Sequence, residues 1–205
     1  MFDALESRRL FAVTLTDGVL TVTGTEEADH LAVGRNETMI VVNDNGTSSN
    51  WNPAEVTSIV VNGLGGNDEI AILRGVYKPI TIDAGAGDDR VHGGSGRERI
   101  FGGIGRDLLN GGGGGDLLEG GADDDVIVGG AGEDRMIGNA GNDRFDAVDY
   151  NADLLDGGEG EDFARISRRD RAVNIEHVIV VSPPSGVNLV ADDQNTTEDL
   201  SQMLA

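Results

Sequence analysis

The chain lacks the residues and segments that mark several common protein classes. It contains no cysteine, so it can form neither a disulfide framework nor a thiolate metal site. No run of about 18 apolar residues is present, so no segment is expected to span a membrane as a helix. The opening segment, MFDALESRRLFAVTLTDG, carries charges and lacks the apolar stretch of about 7–15 residues found in signal peptides, so a cleavable secretory signal is not expected.

Aromatic and basic residues are both scarce. Aromatic residues make up 4% of the 205-residue chain, so a large core built on aromatic anchors is not expected. Only 15 basic residues stand against 37 acidic ones, and the net charge of −22 argues against nucleic acid and anionic membrane surfaces as partners. High charge with few aromatics favours disorder. However, 38% of the residues are hydrophobic, so we expect a folded chain whose charge is neutralised by another species.

The motifs of common hydrolases are also missing. The sequence has no HExxH zinc-protease motif and no GxSxG nucleophile elbow. The nearest stretch, GGSGR at 93–97, has arginine where the last glycine is required. The three histidines, His30, His92 and His177, are scattered and do not follow a zinc-ligand pattern. We therefore expect that the protein is not an enzyme and that it has no catalytic residues.

Glycine, in contrast, is abundant and recurs with a fixed period, with 32 residues in the chain. From residue 84 the sequence divides into seven consecutive nine-residue units, AGAGDDRVH, GGSGRERIF, GGIGRDLLN, GGGGGDLLE, GGADDDVIV, GGAGEDRMI and GNAGNDRFD. After Ala147, VDYNADLLD and GGEGEDFAR continue to residue 165. A looser copy, GLGGNDEIA, occupies 63–71, and GTEEADHLA at 24–32 is weaker still. Such repetition predicts a solenoid.

Two positions of the unit have a constant character. The sixth residue is acidic in every unit and the eighth is apolar. If nine residues form half a coil, acidic side chains recur on the same side every 18 residues, which predicts two columns. The first column contains Asp89, Asp107, Asp125, Asp143 and Asp162, and the second column contains Glu98, Asp116, Asp134 and Asp153. The apolar residues, which we expect to point inward, are Val91, Ile100, Leu109, Leu118, Ile127, Met136, Phe145, Leu155 and Ala164.

The unit resembles G-G-x-G-x-D-x-U-x, the calcium-binding nonapeptide of RTX (hemolysin-type) proteins. The resemblance covers residues 84–165 closely and 63–71 loosely. It implies an all-β fold, namely a right-handed parallel β-roll or β-solenoid with calcium-binding Gly/Asp turns, which we expect to be capped at both ends by short strands. It also implies Ca²⁺ as the bound ion and type I secretion as the route out of the cell.

The residue types agree with calcium. Glycine adopts positive φ without a Cβ clash, so glycine-rich turns can reverse tightly and aim their carbonyls at one point. Neighbouring strands lie about 4.8 Å apart, and two carboxylates at roughly 5 Å repel by about 3 kcal/mol at an effective dielectric of 20. A divalent cation between coils reverses this interaction, and Ca²⁺ accepts about 6–8 oxygen ligands in flexible geometry. The acids at position five, Asp88, Asp124 and Glu133, are expected to face solvent.

Some units depart from the pattern. Glu98 is flanked by Arg97 and Arg99, so its site is expected to be weak or empty. The unit of Asp153 lacks turn glycines and is expected to be degraded, and Asp123 replaces a fourth-position glycine. The candidate calcium ligands are Asp68, Asp89, Glu98, Asp107, Asp116, Asp125, Asp134, Asp143, Asp153 and Asp162, with the turn residues Gly85, Gly87, Gly94, Gly96, Gly103, Gly105, Gly112, Gly114, Gly121, Asp123, Gly130, Gly132, Gly141, Gly158 and Gly160.

Short β-branched runs flank the array on both sides. TLTDGVLTVTG, HLAVGR, TMIVVND and EVTSIVVNG predict strands that continue or cap the roll, with Phe11, Trp51 and Val60 covering the open coil. PITIDA predicts a strand that leads into the array, and NIEHVIVV predicts a strand after it. Four arginines near the last acidic turns, which we expect to pair with nearby acids, are Arg165, Arg168, Arg169 and Arg171.

These patterns predict five regions and one function. We expect an extracellular calcium-binding β-roll that folds when calcium binds, with roughly five ions and a structural or adhesive role at the cell surface or matrix. The alternative is a non-catalytic, polysaccharide-binding module or partner of a secreted enzyme. The expected partners are calcium ions and extracellular polysaccharide or cell-surface components, and the expected oligomeric state is a monomer. The regions are an export-like segment at 1–12, a β-solenoid or capping region at 13–83, the calcium-binding roll at 84–165, a cap at 166–186 and a mobile tail at 187–205.

Overall fold

The computed structural model describes residues 12–181. In this range the chain winds into a β-solenoid of about 7 turns with no helix, which confirms the predicted all-β parallel roll. Each turn adds one strand to each of two sheets, and the apolar core lies between the sheets. With no helix in the described range, no described segment crosses a membrane in helical form.

One sheet contains nine strands, all parallel except for the β1–β2 hairpin at its edge. Its strands in spatial order are β1 (Ala12–Thr16), β2 (Val19–Thr23), β6 (Ser58–Gly65), β8 (Ile80–Ala86), β10 (Glu98–Ile104), β12 (Leu117–Ala122), β14 (Arg135–Ala140), β16 (Leu154–Glu159) and β18 (Arg171–Val173).

The other sheet contains ten strands and is parallel from β3 to β19, whereas β3, β4 and β5 pair antiparallel. Its strands in spatial order are β19 (His177–Val180), β17 (Phe163–Ile166), β15 (Arg144–Ala147), β13 (Val126–Val128), β11 (Leu108–Asn110), β9 (Arg90–His92), β7 (Glu69–Ile72), β3 (His30–Arg35), β4 (Ile40–Asp44) and β5 (Thr47–Trp51).

The eighth position of each unit supplies the core, as the sequence predicts. Every one of these side chains from Val91 to Ala164 is at most 3% exposed. Equivalent residues of successive coils are register partners, so Ile100 lies beside Leu118 and Leu109 lies beside Ile127. The neighbours at positions seven and nine point to the opposite face because side chains alternate along a strand. The core is therefore a continuous stack of mostly aliphatic side chains, which continues to Phe145, Leu155 and Ala164 towards the carboxyl end.

The two sheets differ in strand length. Strands β9, β11 and β13 contain three residues each, which matches the short strand expected from the unit. Strands β8 and β10 contain seven residues, because pairing continues through the first three positions of the next unit, where Gly103 is the register partner of Gly85. The turns on the two sides of the roll are therefore not equivalent, which a single nine-residue pattern does not predict.

The amino-terminal strands both continue and cap the roll. Strands β2 and β6 join the parallel array, and the antiparallel strands β1, β4 and β5 cover the first coil. Trp51 packs against the core as predicted. The prediction for Val60 is wrong, since it is half-buried while its neighbours Ile59 and Val61 are 1% and 0% exposed. Phe11 lies outside the described residues.

The carboxyl-terminal arginines pair only in part as predicted. Arg165 forms an ion pair with Asp146, with 3.0 Å between Nη1 and Oδ2. Arg169 instead donates to the carbonyl oxygen of Tyr150 at 2.7 Å. The predicted strand after the array is β19. The export-like segment, apart from residue 12, and the tail at 187–205 lie outside the described residues.

Alanine substitution should distinguish the two faces of one strand. Leu118 is fully buried, whereas its neighbour Leu117 is half-buried on the outer face. We expect Leu118→Ala to lower the free energy of unfolding by about 2–5 kcal/mol and Leu117→Ala to lower it by less than about 1 kcal/mol. Urea unfolding at constant calcium concentration measures both values, and equal effects would contradict the register.

Candidate metal centres

The acidic residues at position six form two continuous columns, as predicted. In the first column the backbone N–H of Asp107 donates to Oδ1 of Asp125 at 2.8 Å, and the same contact recurs from coil to coil. In the second column the N–H of Asp116 donates to Oδ1 of Asp134 at 2.8 Å. Each carboxylate therefore holds the backbone of the preceding coil through one of its two oxygens.

The insertion of Ala147 leaves both columns intact. Between Asp89 and the insertion the spacing of the hydrogen-bonded acids is 18 residues, and across the insertion it is 19 residues for Asp134 with Asp153 and for Asp143 with Asp162. Ala147 is buried in the core at 1% exposed, in the last position of β15. The predicted continuation of stacking through the insertion is confirmed.

The columns are longer than the sequence predicts. The first column begins at Asp29, whose N–H donates to Asp68, and ends at Glu176, which accepts from Asp162. The second column ends at Asp170, which accepts from the N–H of Asp153 at 3.2 Å. Asp29 is the sixth residue of the weak copy at 24–32 and could have been found. Asp170 and Glu176 break the spacing, so the sequence carried no signal for them.

The second oxygen of each internal carboxylate has no hydrogen-bond partner among the described residues. Asp125 is 1% exposed and Asp116 is 3% exposed, so water does not readily replace the missing partner. A buried polar atom without a partner costs about 1–3 kcal/mol, and more when it is charged. The atoms concerned are Oδ2 of Asp68, Asp89, Asp107, Asp116, Asp125, Asp134, Asp143, Asp153 and Asp162, and Oε1 of Glu98.

The column ends differ from the column interior. The carboxylate of Asp29 accepts from the N–H and the hydroxyl of Thr25 at 2.7 and 2.9 Å and from Nδ2 of Asn45 at 2.9 Å. Asp170 accepts from the backbone N–H and from the hydroxyl of Ser167. Protein donors thus satisfy both oxygens of Asp29 and Asp170. The acids from Asp68 to Asp162 in the first column and from Glu98 to Asp153 in the second each keep one unpartnered oxygen, as does Asp44 outside the columns.

The glycines of the turn are required for two different reasons. At position one the cause is a close approach, since a Cβ on Gly111 would lie 2.7 Å from Asp116 Oδ2 and 2.5 Å from the carbonyl oxygen of Gly129. At positions two and four the cause is positive φ, as in Gly112 at 89° and Gly114 at 129°. The predicted turn glycines with positive φ are Gly85, Gly87, Gly103, Gly105, Gly112, Gly114, Gly121, Gly130, Gly132, Gly141, Gly158 and Gly160.

Two polar residues replace glycine in these turns without changing the backbone. Asp123 at position four and Asn139 at position two both have φ of 78°. Asp and Asn enter the left-handed region more readily than other side chains do. The side chain of Asp123 is exposed, so its position in the turn is set by the backbone.

The unit at 93–101 forms a different turn. Gly94 and Gly96 are not among the glycines with positive φ, and the N–H of Gly94 donates to Oε2 of Glu98 at 3.2 Å. The longer carboxylate therefore accepts a hydrogen bond from its own turn and starts the second column. Arg97 lies beside the next turn, where it lowers the pKa of Asp116 against the larger effect of burial.

The glycine-free unit at 148–156 keeps its place in the second column. The carboxylate of Asp149, which is 6% exposed, accepts from the N–H of Asn151 at 2.7 Å and from the N–H of Gly132 in the preceding coil at 3.2 Å. Side-chain hydrogen bonds thus replace the glycine turn. Asp153 still accepts from Asp134 at 2.8 Å through Oδ1.

The position-five acids contact the next coil rather than solvent alone. The N–H of Arg106 donates to Oδ1 of Asp88 at 3.0 Å, and the N–H of Asn142 donates to Oδ1 of Asp124 at 2.8 Å. Asp88 is half exposed, and Asp124 and Glu133 are exposed, so the prediction that these acids face solvent is confirmed, and the first two also accept these backbone hydrogen bonds. In these bonds the later coil donates to the earlier coil, whereas in the first column the earlier coil donates to the later coil. Successive turns are therefore joined by hydrogen bonds in both directions.

Burial raises the pKa of the column acids, and the backbone hydrogen bonds offset only part of this effect. The pKa rises to about 8 for Asp116 and Asp125 and to about 7 for Asp107 and Asp153. Neighbouring carboxylates add to the rise in these four residues. Desolvation therefore disfavours the charged columns unless a cation accompanies them. The pKa of Asp68, Asp134 and Asp143 rises to about 6, and it also rises for Asp89, Glu98 and Asp162.

The donor set fits calcium. Within residues 12–181 no three His, Cys, Asp or Glu side chains converge on one point, so any site combines one or two carboxylates with backbone carbonyls. Such a set consists of hard oxygens, which Ca²⁺ prefers and which it binds in flexible geometry. The unpartnered Oδ2 of Asp116 and the carbonyl of Gly129 face the same side of Gly111. Glycine leaves open the space that a Cβ would fill.

Acid should stabilise the metal-free fold. The raised pKa of Asp116 and Asp125, about 8 against the ordinary value of 3.8, means that protonation favours the folded state. This stabilisation is complete below about pH 4 and is lost as the pH rises through about 6–8. In metal-free buffer we expect a higher thermal midpoint by circular dichroism at pH 5 than at pH 8. A higher midpoint at pH 8 would contradict the desolvation of the columns.

The repeats match a known family. The family model described as RTX calcium-binding nonapeptide repeat (4 copies) matches residues 81–109 and 110–145. No curated protein matches the chain, and no solved structure matches it. The matched segments contain the consecutive units that build the middle of both columns. Together with the β-roll, this match shows that residues 81–145 are RTX calcium-binding nonapeptide repeats, and repeats of this kind bind Ca²⁺.

Proposed function

We propose that this protein is an extracellular structural or adhesive module whose β-roll is completed by calcium ions held along the two columns. The observation that supports the ligand assignment is the distribution of the unpartnered carboxylate oxygens. Apart from Oδ1 of Asp44, they all belong to column acids, and they are absent at Asp29 and Asp170, where protein donors take their place.

The proposed ligands are the second carboxylate oxygens of the internal acids and the carbonyls of the adjoining turns. Asp107, Asp125 and Asp143 belong to the first column, and Asp116 and Asp134 to the second. Calcium supplies the positive charge that offsets carboxylate repulsion and desolvation. Roughly five ions, as estimated from the number of well-formed adjacent turns, is the proposed stoichiometry.

The proposed consequence is folding coupled to calcium. The site exists only when successive coils are stacked, so binding free energy becomes folding free energy. The net charge of −22 disfavours the compact state when the ion is absent. An acidic chain of this kind remains expanded at low calcium concentration and folds where calcium is abundant, which supports secretion and a role outside the cell.

A second candidate function is the binding of a linear polysaccharide. An open groove of about 890 Å³ runs along the first column and is lined by residues from six successive coils. Its lining combines guanidinium groups, such as Arg90 and Arg106, with the apolar side chains Leu108 and Phe163. Alternating donors and apolar surface suit a chain of sugars, so this groove favours the polysaccharide-binding alternative.

Removing one ligand should weaken calcium-dependent folding. For Asp125→Asn we expect the calcium midpoint for β-structure, measured by circular dichroism, to rise at least about threefold, because a carboxylate at the middle of a column is lost. Asp124→Asn is the matched control, since it removes the same charge from the exposed neighbour and should shift the midpoint by less than about 1.5-fold. Equal shifts would contradict the assignment of the ligands.

Glu98 should contribute little to calcium binding. Its carboxylate folds back onto Gly94, and Arg97 lies beside the same column. We expect Glu98→Gln to leave the number of bound ions unchanged, whereas Asp116→Asn lowers it by one or more. Isothermal titration calorimetry or equilibrium dialysis measures both. Loss of an ion in Glu98→Gln would place a functional site at the first turn of the second column.

A glycan array at saturating calcium separates the two candidate functions. Specific saccharide binding that is lost in Arg106→Ala favours the polysaccharide-binding module. Uniform absence of binding, together with calcium-dependent attachment of the protein to intact cells or matrix, favours the structural or adhesive role. Glu133→Ala, which changes an exposed acid away from the groove, is the control.

A further inference from the structure

The outer face of the nine-stranded sheet carries a regular pattern that the calcium columns do not explain. From β10 to β18, position seven of successive coils alternates between arginine and leucine, and in β8 this position is Thr81. Register pairing places these side chains in one straight row across the sheet. The row contains Arg99, Leu117, Arg135, Leu154 and Arg171.

Position nine of the same strands alternates between acidic and apolar residues, in the opposite phase. A coil with arginine at position seven has an apolar residue at position nine, and a coil with leucine at position seven has an acid at position nine. The second row contains Asp83, Phe101, Glu119, Ile137, Asp156 and Val173. The face is therefore a checkerboard of charged and apolar side chains.

The charges of this checkerboard are left unpaired within the described part of the chain. The side chains of Arg99, Arg135 and Arg171 form no ion pair or hydrogen bond there, and neither do Asp83 and Glu119. The remaining acid, Asp156, accepts from Nδ2 of Asn174 at 2.7 Å. Apolar side chains of the checkerboard are also accessible to solvent, with Leu154 51% and Val173 40% exposed.

We propose that this face binds a second copy of the same chain, with the two solenoid axes parallel and the copies offset by one coil. A rotation of one copy by half a turn about an axis parallel to the solenoid places the position-seven row of one copy opposite the position-nine row of the other. Without an offset, Arg99 faces Phe101 and Leu117 faces Glu119, which is unfavourable at every coil. With an offset of one coil, each arginine faces an acid and each apolar residue faces an apolar residue.

The offset register satisfies every facing pair of the checkerboard. Arg99 of one copy faces Glu119 of the other, and Leu117 faces Ile137. In the reverse direction, Asp156 faces Arg171 and Phe101 faces Leu117. An arrangement with antiparallel solenoid axes lacks this property, because it places the position-seven rows of the two copies opposite each other, so that arginine faces arginine or leucine. Charge complementarity therefore selects one occupant and one register.

The size of the face sets the expected strength. Six strands at about 4.8 Å span about 24 Å, and positions seven to nine extend about 10 Å along each strand. The face therefore covers roughly 240 Å², which is less than the roughly 800 Å² per partner of a standard interface. The net charge of −22 also repels two copies. We therefore expect a weak dimer that forms in calcium, where bound ions reduce the repulsion. This proposed state differs from the monomer expected from the sequence, because the checkerboard forms only when residues 17 to 19 apart are placed side by side.

Sedimentation of paired variants tests the face. The triple variant Arg99→Glu, Arg135→Glu, Arg171→Glu and the triple variant Asp83→Arg, Glu119→Arg, Asp156→Arg should each dimerise at least about tenfold more weakly than the unmodified chain. Mixing the two variants should restore a one-to-one dimer. Arg35→Glu, Arg90→Glu, Arg168→Glu is the control for the arginine variant, because it makes the same change in net charge outside this face and should leave dimerisation within about twofold of the unmodified chain.

Thiol cross-linking tests the register, and the absence of natural cysteine makes the reaction specific. Facing sheets lie about 10 Å apart, so a short bifunctional thiol reagent can join them. A mixture of Leu154→Cys and Ile137→Cys chains should cross-link efficiently. A mixture of Leu154→Cys and Asp156→Cys chains, which would face each other without an offset, should cross-link several-fold less.

The possible outcomes separate this inference, which needs the calcium-bound fold, from the proposed function. Circular dichroism and calcium titration on the same samples report whether the roll binds calcium and folds. If it folds with calcium and stays monomeric up to millimolar concentration, the dimer is wrong and the calcium assignment stands. If both triple variants dimerise as strongly as the unmodified chain, the proposal is also overturned. Failure to bind calcium overturns the proposed function by itself.

Discussion

The buried carboxylate that holds one partner and lacks another determines the rest of this structure. At each internal rung one oxygen accepts the backbone N–H of the preceding coil, and the other oxygen is buried without a donor. The hydrogen bond fixes the spacing of coils, and the unpartnered oxygen creates the demand for a cation. Stacking and metal binding are therefore two uses of the same side chain, so near neutral pH, where the carboxylates need a counter-charge, each favours the other.

The glycines serve this carboxylate in two ways. Positive φ at positions two and four turns the backbone, while position one keeps clear the space beside the acid, as Gly111 does beside Asp116. Where the sequence departs from glycine, side chains take over the turn, as Asp149 and Asn151 do in the glycine-free unit. The fold therefore tolerates the loss of glycine when another group satisfies the backbone, and the acid at position six persists throughout.

The outward-facing side chains of the roll also follow a regular pattern. Position five ties successive turns through Asp88 and Asp124 in the direction opposite to the columns. Positions seven and nine of the nine-stranded sheet form the checkerboard, which separates like charges and breaks up apolar rows. A column of identical charges would oppose stacking, since like charges on adjacent strands are unfavourable. The alternation of charged and apolar residues removes this repulsion between adjacent strands. It also leaves a face that is complementary to the same face of a second copy when the copies are offset by one coil.

The period, the two columns, the inward apolar residues and the choice of calcium could be predicted from the sequence alone, because a nine-residue repeat places equivalent residues at equivalent places on every coil. The sequence could not determine the ends, since Asp170 and Glu176 join the columns at irregular spacing. It also did not determine the burial of Ile59 and Val61 rather than Val60, the seven-residue strands of one sheet, or the pairing of position five. Those features depend on contacts between residues 14 to 39 positions apart, which only the stacked coils bring together.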